Sequence, residues 1–544
     1  MKKSAIIIIA SAVITLLGAS CKKYLDINKN PNSPTASTPD YVLPQAITYV
    51  GNNESGFNTY GAETAGMQAN AGGYGGFGDW WTYDWSTSDY TNLWSGTYDA
   101  LQDFQYVINE TKDSADLAYY TAIGDIMKAY NYELLVDAYN DVPYTQALQA
   151  PAIVSPKYDG AADIYVSLAN LLDTGILLIN NAPADVVAVP SSSDPLFGGT
   201  MKSWIQFANT VKLRLIIRAS SVATFPNTTF DPAGFLTTDA VVNPGYAKAA
   251  GSGNITQQNP NWDAWVAHYD NSNGNRSWMA CLYAFGFYNG QKLTDSSRRH
   301  AIYFYSDSIN PGNGYYAFAN QLGYGGPISI SFAPAFTGAW YSTTYNQPYS
   351  SITSTNSLGG NIGVMKDPTQ GQPLILAAES YFLQAEADLR GILPGVDSSD
   401  FYSGITASYN YLFELSSGAL ASGYSPADSV TAYKKQNPNS YLVNWYLAGT
   451  PAQKLEAIIT QKYIAVNMIT SQEAWNEYRR TQYPVTSPLT SNPYTSMVST
   501  LSQGTRPDKL PGRIMYPNTE FSSNASNVPQ SISPFTSQIF WAKP

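Results

Sequence analysis

YTAIGDIMKAYNYELLVDAYNDVPY, residues 120–144, is the stretch on which the fold turns. Tyr120, Ile123, Met127, Tyr130 and Leu134 step by alternating threes and fours, which is one apolar stripe of an amphipathic helix. Lys112-Asp113-Ser114 offers a cap ahead of it, and Asn140-Asp141-Val142-Pro143-Tyr144 stops it. Just upstream, Trp94, Tyr98, Leu101 and Ile108 share a face of a second helix, with regular structure beginning near Ser88. Two helices joined by a short polar turn predict a helical hairpin.

Outward from this hairpin the pattern continues. A helix is predicted from about 161 to 180 and another from about 201 to 220. In the latter, Trp204, Phe207, Val211 and Leu215 point inward and Lys202, Lys212 and Arg218 lie on other faces. From about 221 to 370 the periodicity dissolves into Gly, Asn, Ser, Pro and Tyr, broken by short apolar pieces such as Ile328-Ser329-Ile330-Ser331-Phe332. Irregular chain of that length points to function.

Helical spacing returns near Pro373 with Ile375, Ala378, Phe382, Ala385 and Leu389, and Gly391 can close that helix. A shorter helix carries Ile405, Tyr409 and Leu412. Thr450-Pro451 supplies an N-cap and a first-turn proline for a helix to about Met468, and another, containing Trp475, starts near Ser471. On the last helix Glu473 and Glu477 share a face with Arg480 one turn away, which predicts a solvated, salt-bridged surface. The tail from 484 reads as coil. The expectation is a mainly α chain with a few short strands, one domain over 41–544. Its helical scaffold covers about 88–220 and 373–483, with a loop-rich insert between. No strict 34-residue repeat is visible, so a tetratricopeptide-like scaffold and an irregular bundle both remain open.

The N-terminus reads as a targeting segment. Met1-Lys2-Lys3 precedes an apolar run, Ala5 to Leu17, of signal-peptide length, too short to span a bilayer. Leu16-Leu17-Gly18-Ala19-Ser20-Cys21 looks like a lipobox, although Leu17 lies one place further from the cysteine than usual. One reading makes Cys21 the lipidated first residue after removal of 1–20; the other is an ordinary signal with Cys21 incidental. Residues 21–40, with three prolines and many Asn and Ser, read as a tether.

Charge and composition exclude some partners. Without residues 1–20 the chain carries 27 basic and 40 acidic residues, a net charge of −13. Phosphate backbones would repel it, so no nucleic-acid partner is expected. Membrane contact should come from lipid on Cys21, since no basic cluster is present. Charged residues are 13% and aromatics 14%, including 42 Tyr. A weakly charged chain rich in Tyr and Trp suits a neutral, wet ligand such as a sugar. Exported bacterial proteins can share that composition without such a ligand.

The candidate ligand-binding residues are aromatic. Trp80, Trp81, Tyr83 and Trp85 crowd a stretch, residues 74–85, that has no helical or strand period. Trp262, Trp265 and Trp278, and Trp340 with Tyr341, fall in the irregular insert. Such rings can stack on a sugar while Asn and Asp bind hydroxyls, or can simply plug loops onto the helices. Cys281, inside an apolar run, reads as a buried structural thiol. Asp270-Asn271-Ser272-Asn273-Gly274-Asn275 faintly resembles a calcium loop, but its twelfth place is Cys281, so a turn is predicted. No zinc-type His/Glu motif, nucleophile elbow, P-loop or dinucleotide fingerprint is visible, so no cofactor, metal or catalytic residue is expected.

Several segments carry a family likeness. They are Cys21-Lys22-Lys23-Tyr24-Leu25-Asp26 with Asn30-Pro31-Asn32; Lys128-Ala129-Tyr130-Asn131 with Asp137 to Tyr144; Phe207-Ala208-Asn209 with Lys212-Leu213-Arg214-Leu215; and Glu379 with Phe382 and Ala385-Glu386-Ala387. Gln461-Lys462-Tyr463, Trp475 with Arg479-Arg480-Thr481, and Tyr516-Pro517 with Glu520 and Asn524 complete the set. In this order the chain resembles the SusD/RagB-like nutrient-binding outer-membrane lipoproteins. The resemblance implies a tetratricopeptide-like helical scaffold with long loops. It implies a lipid-anchored protein of the outer membrane, facing the exterior. It also implies an oligosaccharide or peptide ligand and a TonB-dependent, SusC/RagA-like transporter as partner. The motifs look like scaffold positions and assign no ligand residue. A glycoside hydrolase on the same scaffold, needing only two well-placed carboxylates, and a protein-binding assembly scaffold are the alternatives.

Overall fold

The computed structural model describes residues 37–543 except 71–77, 249–256, 267, 270–273, 275–277, 304–361 and 489–491. The lipobox with Cys21, the Ile328–Phe332 piece, Trp340 and Tyr341, and most of the calcium-like loop lie outside the described residues. Ten helices of ten or more residues dominate what is described: α1 (Pro39–Thr64), α2 (Thr91–Thr111), α3 (Ala118–Tyr139), α4 (Ala161–Asn180), α5 (Met201–Ala219), α6 (Ala377–Leu389), α7 (Asp397–Phe413), α8 (Pro426–Gln436), α9 (Pro451–Ala465) and α10 (Gln472–Thr481). Three two-stranded antiparallel ladders accompany them: β1 (Gln68–Asn70) with β5 (Trp278–Ala280), β2 (Val142–Pro143) with β3 (Tyr158–Asp159), and β4 (Ala240–Val242) with β6 (Gln372–Ile375).

Neighbours in sequence are neighbours in space. Each helix from α1 to α7 packs on the next, α9 returns against α6 and α7, and α10 closes onto α1. Local signals explain several boundaries. Thr450 accepts from the Gln453 N–H (3.2 Å) with Pro451 in the first turn, as predicted. Gly391, at φ +69°, ends α6 in the left-handed conformation that a side chain would resist. Trp204, Phe207, Val211 and Leu215 are all fully buried, as the stripe required.

Four expectations are corrected. Regular structure begins at Pro39, not near Ser88: α1 has 26 residues and occupies ground assigned to tether and loop. Ile375 belongs to strand β6 rather than to α6. Trp262 and Trp265 lie on a short helix, Pro260–Trp265, capped by Asn259, not in irregular chain. Finally, Lys212 and Arg218 do not face solvent, and neither do Glu473 and Glu477; all four are at most 2% exposed.

The last correction exposes the centre of the scaffold. Arg214 grips Glu133 through two bonds of 2.8 and 2.6 Å and donates to Glu379 (3.1 Å). Arg218, one turn on, bonds Glu133 (2.8 Å), Asp137 and Glu473. Lys462 reaches Glu477 (2.9 Å) and Glu473 (3.3 Å), and Arg480 clasps Glu386 (2.7 and 2.6 Å). Burial raises Glu133, Asp137 and Glu379 above the usual carboxylate range, with Arg214, Arg218 and Lys462 opposing it. Arg218, Arg214 and Lys462 nevertheless hold Glu473 well below the usual carboxylate range, and Arg480 and Lys462 hold Glu477 at about 2. The network stitches α3, α5, α6, α9 and α10 together. It uses Asp137, Arg214, Glu379, Glu386, Lys462 and Arg480, all residues that carry the family likeness.

Two further carboxyls are buried on α1 with no cation bonded to them. Glu54 accepts from Tyr130 and from Gln472 (2.6 Å), and Glu63 accepts from Tyr90 (2.6 Å) and Gln68 (3.4 Å). Burial pushes both up to about 8. Their folded-state proton affinity exceeds that of the unfolded chain. The stability they contribute is therefore complete below about pH 4.3, and is lost as pH rises through about 8. Glu54→Gln and Glu63→Gln, which keep an acceptor and remove the charge, should each flatten that decline. Each should raise stability at pH 8 by roughly 2 kcal/mol in urea titrations run from pH 5 to 8.5.

Candidate ligand-binding site

The aromatic run after residue 77 is drawn together by backbone turns. A five-residue helix, Gly78–Thr82, carries Trp80 and Trp81. Tyr83 (φ +59°) and Tyr90 (φ +54°) then adopt left-handed backbone conformations that side chains seldom tolerate, and reverse the chain twice before α2. The C-terminal coil holds the loop in place. Ser499 donates its N–H to the Tyr83 hydroxyl (3.0 Å) and its hydroxyl to the Trp81 carbonyl, and Gln503 donates to the Thr82 carbonyl (3.0 Å).

Tyr60, Trp80, Tyr83, Trp85, Tyr90 and Trp278 meet in one cluster. Pairing of β1 with β5 sets Asn70 opposite Trp278 and brings Trp278 to Trp80, centroids 5.7 Å apart and tilted by 36°. Trp80 stacks at 6.3 Å on Tyr90, which meets Trp85 edge-on at 5.3 Å and Tyr60 at 5.2 Å. Trp80, Trp81 and Trp278 are half-buried against the core, whereas Tyr83 and Trp85 are 1% and 3% exposed and floor the cluster. Trp262 and Trp265, at 0% and 3%, are core side chains with no ring face toward solvent.

Sequence reasoning missed Tyr60, Tyr90 and Glu63. Tyr90 stood at the edge of the same Trp- and Tyr-rich run and could have been included; the other two were hidden with α1. Glu63 is sealed beneath Tyr90 with both carboxyl oxygens engaged, which leaves it no free oxygen for acid–base work on a bound ligand. Elsewhere, Cys281 is 1% exposed and burial pushes its thiol up to about 11, as expected of a structural cysteine. His268 pairs with Asp263 (3.0 Å). Among the described residues no group of three His, Cys, Asp or Glu side chains could hold a metal.

A helical, tetratricopeptide-like scaffold carrying a partly open ring cluster is the class of structure these observations define. Over residues 31–517 the sequence matches the SusD-like family, described as starch-binding and associating with the outer membrane, and the chain belongs to that family. No curated protein matches it. Solved structures share the fold. A SusD/RagB family protein from Bacteroides thetaiotaomicron has a TM-score of 0.66 at 17% identity, covering 93% of this chain and 99% of its own. A SusD homolog from Bacteroides fragilis has a TM-score of 0.61 at 20% identity, covering 94% and 100%. A chitin-binding SusD homolog from Flavobacterium johnsoniae has a TM-score of 0.62 at 18% identity, covering 92% and 98%.

Proposed function

We propose that this protein is a cell-surface binding lipoprotein. In this reading it captures an oligosaccharide on Trp80, Trp81 and Trp278 and delivers it, uncleaved, to a TonB-dependent outer-membrane transporter. The observation that carries the reading is the half-buried ring cluster. Flat apolar faces tilted against one another, on a chain low in charge, suit the faces of successive pyranose rings. The family's description and the chitin-binding relative support a glycan over a peptide. Lipid on Cys21 supplies the anchor, with residues 22–38, ahead of α1, as the tether.

A glycan array probed with the full chain in detergent tests the capture step. Saturable retention of one glycan class is expected, with no new reducing ends after prolonged incubation; cleavage of the retained glycan would refute a pure binding role. For the anchor, Cys21→Ala should move the protein from the membrane fraction to the soluble fraction. Unchanged retention in the membrane fraction would exclude lipid at that cysteine.

A further inference from the structure

A second groove lies along α7 and shares no residue with the ring cluster. At its deep end is a cavity of about 520 Å³ lined by Asp239, Lys366, Asn410 and Glu414. An adjoining space of about 440 Å³ shares Thr237, Ala407 and Asn410 with it and reaches Tyr381 and Tyr402. The lining runs along α7 from Ser399 to Tyr411, about 18 Å at 1.5 Å per residue, and on to Glu414 just past its end. The shape suits an extended ligand.

The deep end is a built site. Lys366 is 5% exposed; its ammonium donates to the Tyr411 carbonyl (2.7 Å) and sits 4.3 Å from the centre of the Tyr411 ring. One N–H is thereby used, and two remain for the cavity that Lys366 lines. Burial pulls this lysine down to about 8, as befits an ammonium stripped of water and short of partners, although Glu414 and Asp239 oppose the effect. Asp239 is fixed by accepting the Ala377 N–H (2.7 Å) at the start of α6 and still has a second oxygen. Gln370 is pinned by the Lys366 N–H and the Val364 carbonyl, which holds the lysine backbone in place.

The chemistry narrows the occupant. Two carboxylates disfavour an anion, and the central lysine disfavours a metal cation. The polar lining disfavours an apolar ligand. A neutral molecule that both accepts from Lys366 and donates to Asp239 and Glu414 fits this lining, and a polyol does both. Tyr381 and Tyr402 line the far end, with the Lys434 ammonium over one face of the Tyr402 ring at 4.2 Å. We infer that the α7 groove is a second, independent oligosaccharide site, with Lys366, Asp239 and Glu414 reading hydroxyls and Tyr381 and Tyr402 supporting the chain.

Calorimetry of the full chain in detergent with maltotetraose, cellotetraose, xylotetraose and chitotetraose tests this. The parent should bind one of them at two sites. Trp80→Ala/Trp278→Ala should remove one site. Lys366→Met should weaken the other at least tenfold. Asn410→Trp, at an exposed helix position in the middle of the groove, should do the same without touching the core. Binding that is lost with Asn410→Trp but indifferent to the tryptophans keeps the groove and overturns the ring site. The absence of any binding sensitive to Asn410→Trp overturns the groove, whatever the ring cluster does.

Discussion

Arg214→Ala should cost the fold about 3–5 kcal/mol, seen as a lower urea midpoint with an unchanged slope. The side chain is 1% exposed and satisfies Glu133 and Glu379, and it lies 3.8 Å from Glu473. Its removal leaves Glu133 to Arg218 alone and Glu379 to Lys462 at 3.4 Å, in a low-dielectric interior where the lost attraction cannot be replaced by water. Lys454→Ala is the control. The Lys454–Asp397 pair is of similar length, 2.9 Å, but 28% and 24% exposed, so its loss should stay within about 1 kcal/mol. A loss that small at Arg214 would mean that its partners are already protonated and that the network is not ionic.

Trp80→Ala/Trp278→Ala should weaken glycan binding at the ring cluster by roughly 100- to 1,000-fold. Each ring, taken as a hot spot, contributes about 2 kcal/mol, or roughly 30-fold; the pair touches, so the two losses need not add fully. The comparison that separates binding from folding is Trp262→Ala. That ring is fully buried, so its truncation should cost about 3–5 kcal/mol of stability and leave affinity at the cluster unchanged. Measuring both affinity and unfolding midpoint for the three substitutions distinguishes a site from a plug. Equal losses of stability with no specific loss of affinity would assign the cluster to packing.

The helices that sequence reasoning found are α2 to α7, α9 and α10, most of them through a stepped apolar stripe or a capping residue; α1 and α8 escaped it. It missed α1 because that helix buries Glu54, Asn58, Glu63 and Thr64 beside its apolar residues and carries Gly51, Gly56 and Gly61, a composition that reads as loop. Gly61 has a reason visible only in three dimensions. A Cβ there would stand 2.0 Å from the Gln472 backbone nitrogen, so only glycine lets α10 approach. The ionic core was illegible for a related reason. Arg214 meets Glu133 across 81 residues and Arg218 meets Glu473 across 255, whereas helical spacing sees only partners three or four places away. Of the candidate rings, clustering in sequence located Trp80, Trp81, Tyr83 and Trp85. It could not separate Trp278, which a strand pairing brings in, from Trp262, which packing hides.

The junction of α10 with α1 has a consequence in time. Asn58 bonds the Met468 carbonyl and the Ser471 N–H, and Gln472 bonds Glu54, across 410 to 418 residues. A ribosome releases α1 first and α10 almost last, so the earliest helix waits for its cover through most of synthesis. Until then Asn58 and one oxygen of Glu54 have no settled counterpart. A polypeptide halted before residue 468 would therefore leave its own beginning unfinished, and holding factors that bind unfolded chain should recognise that beginning longest.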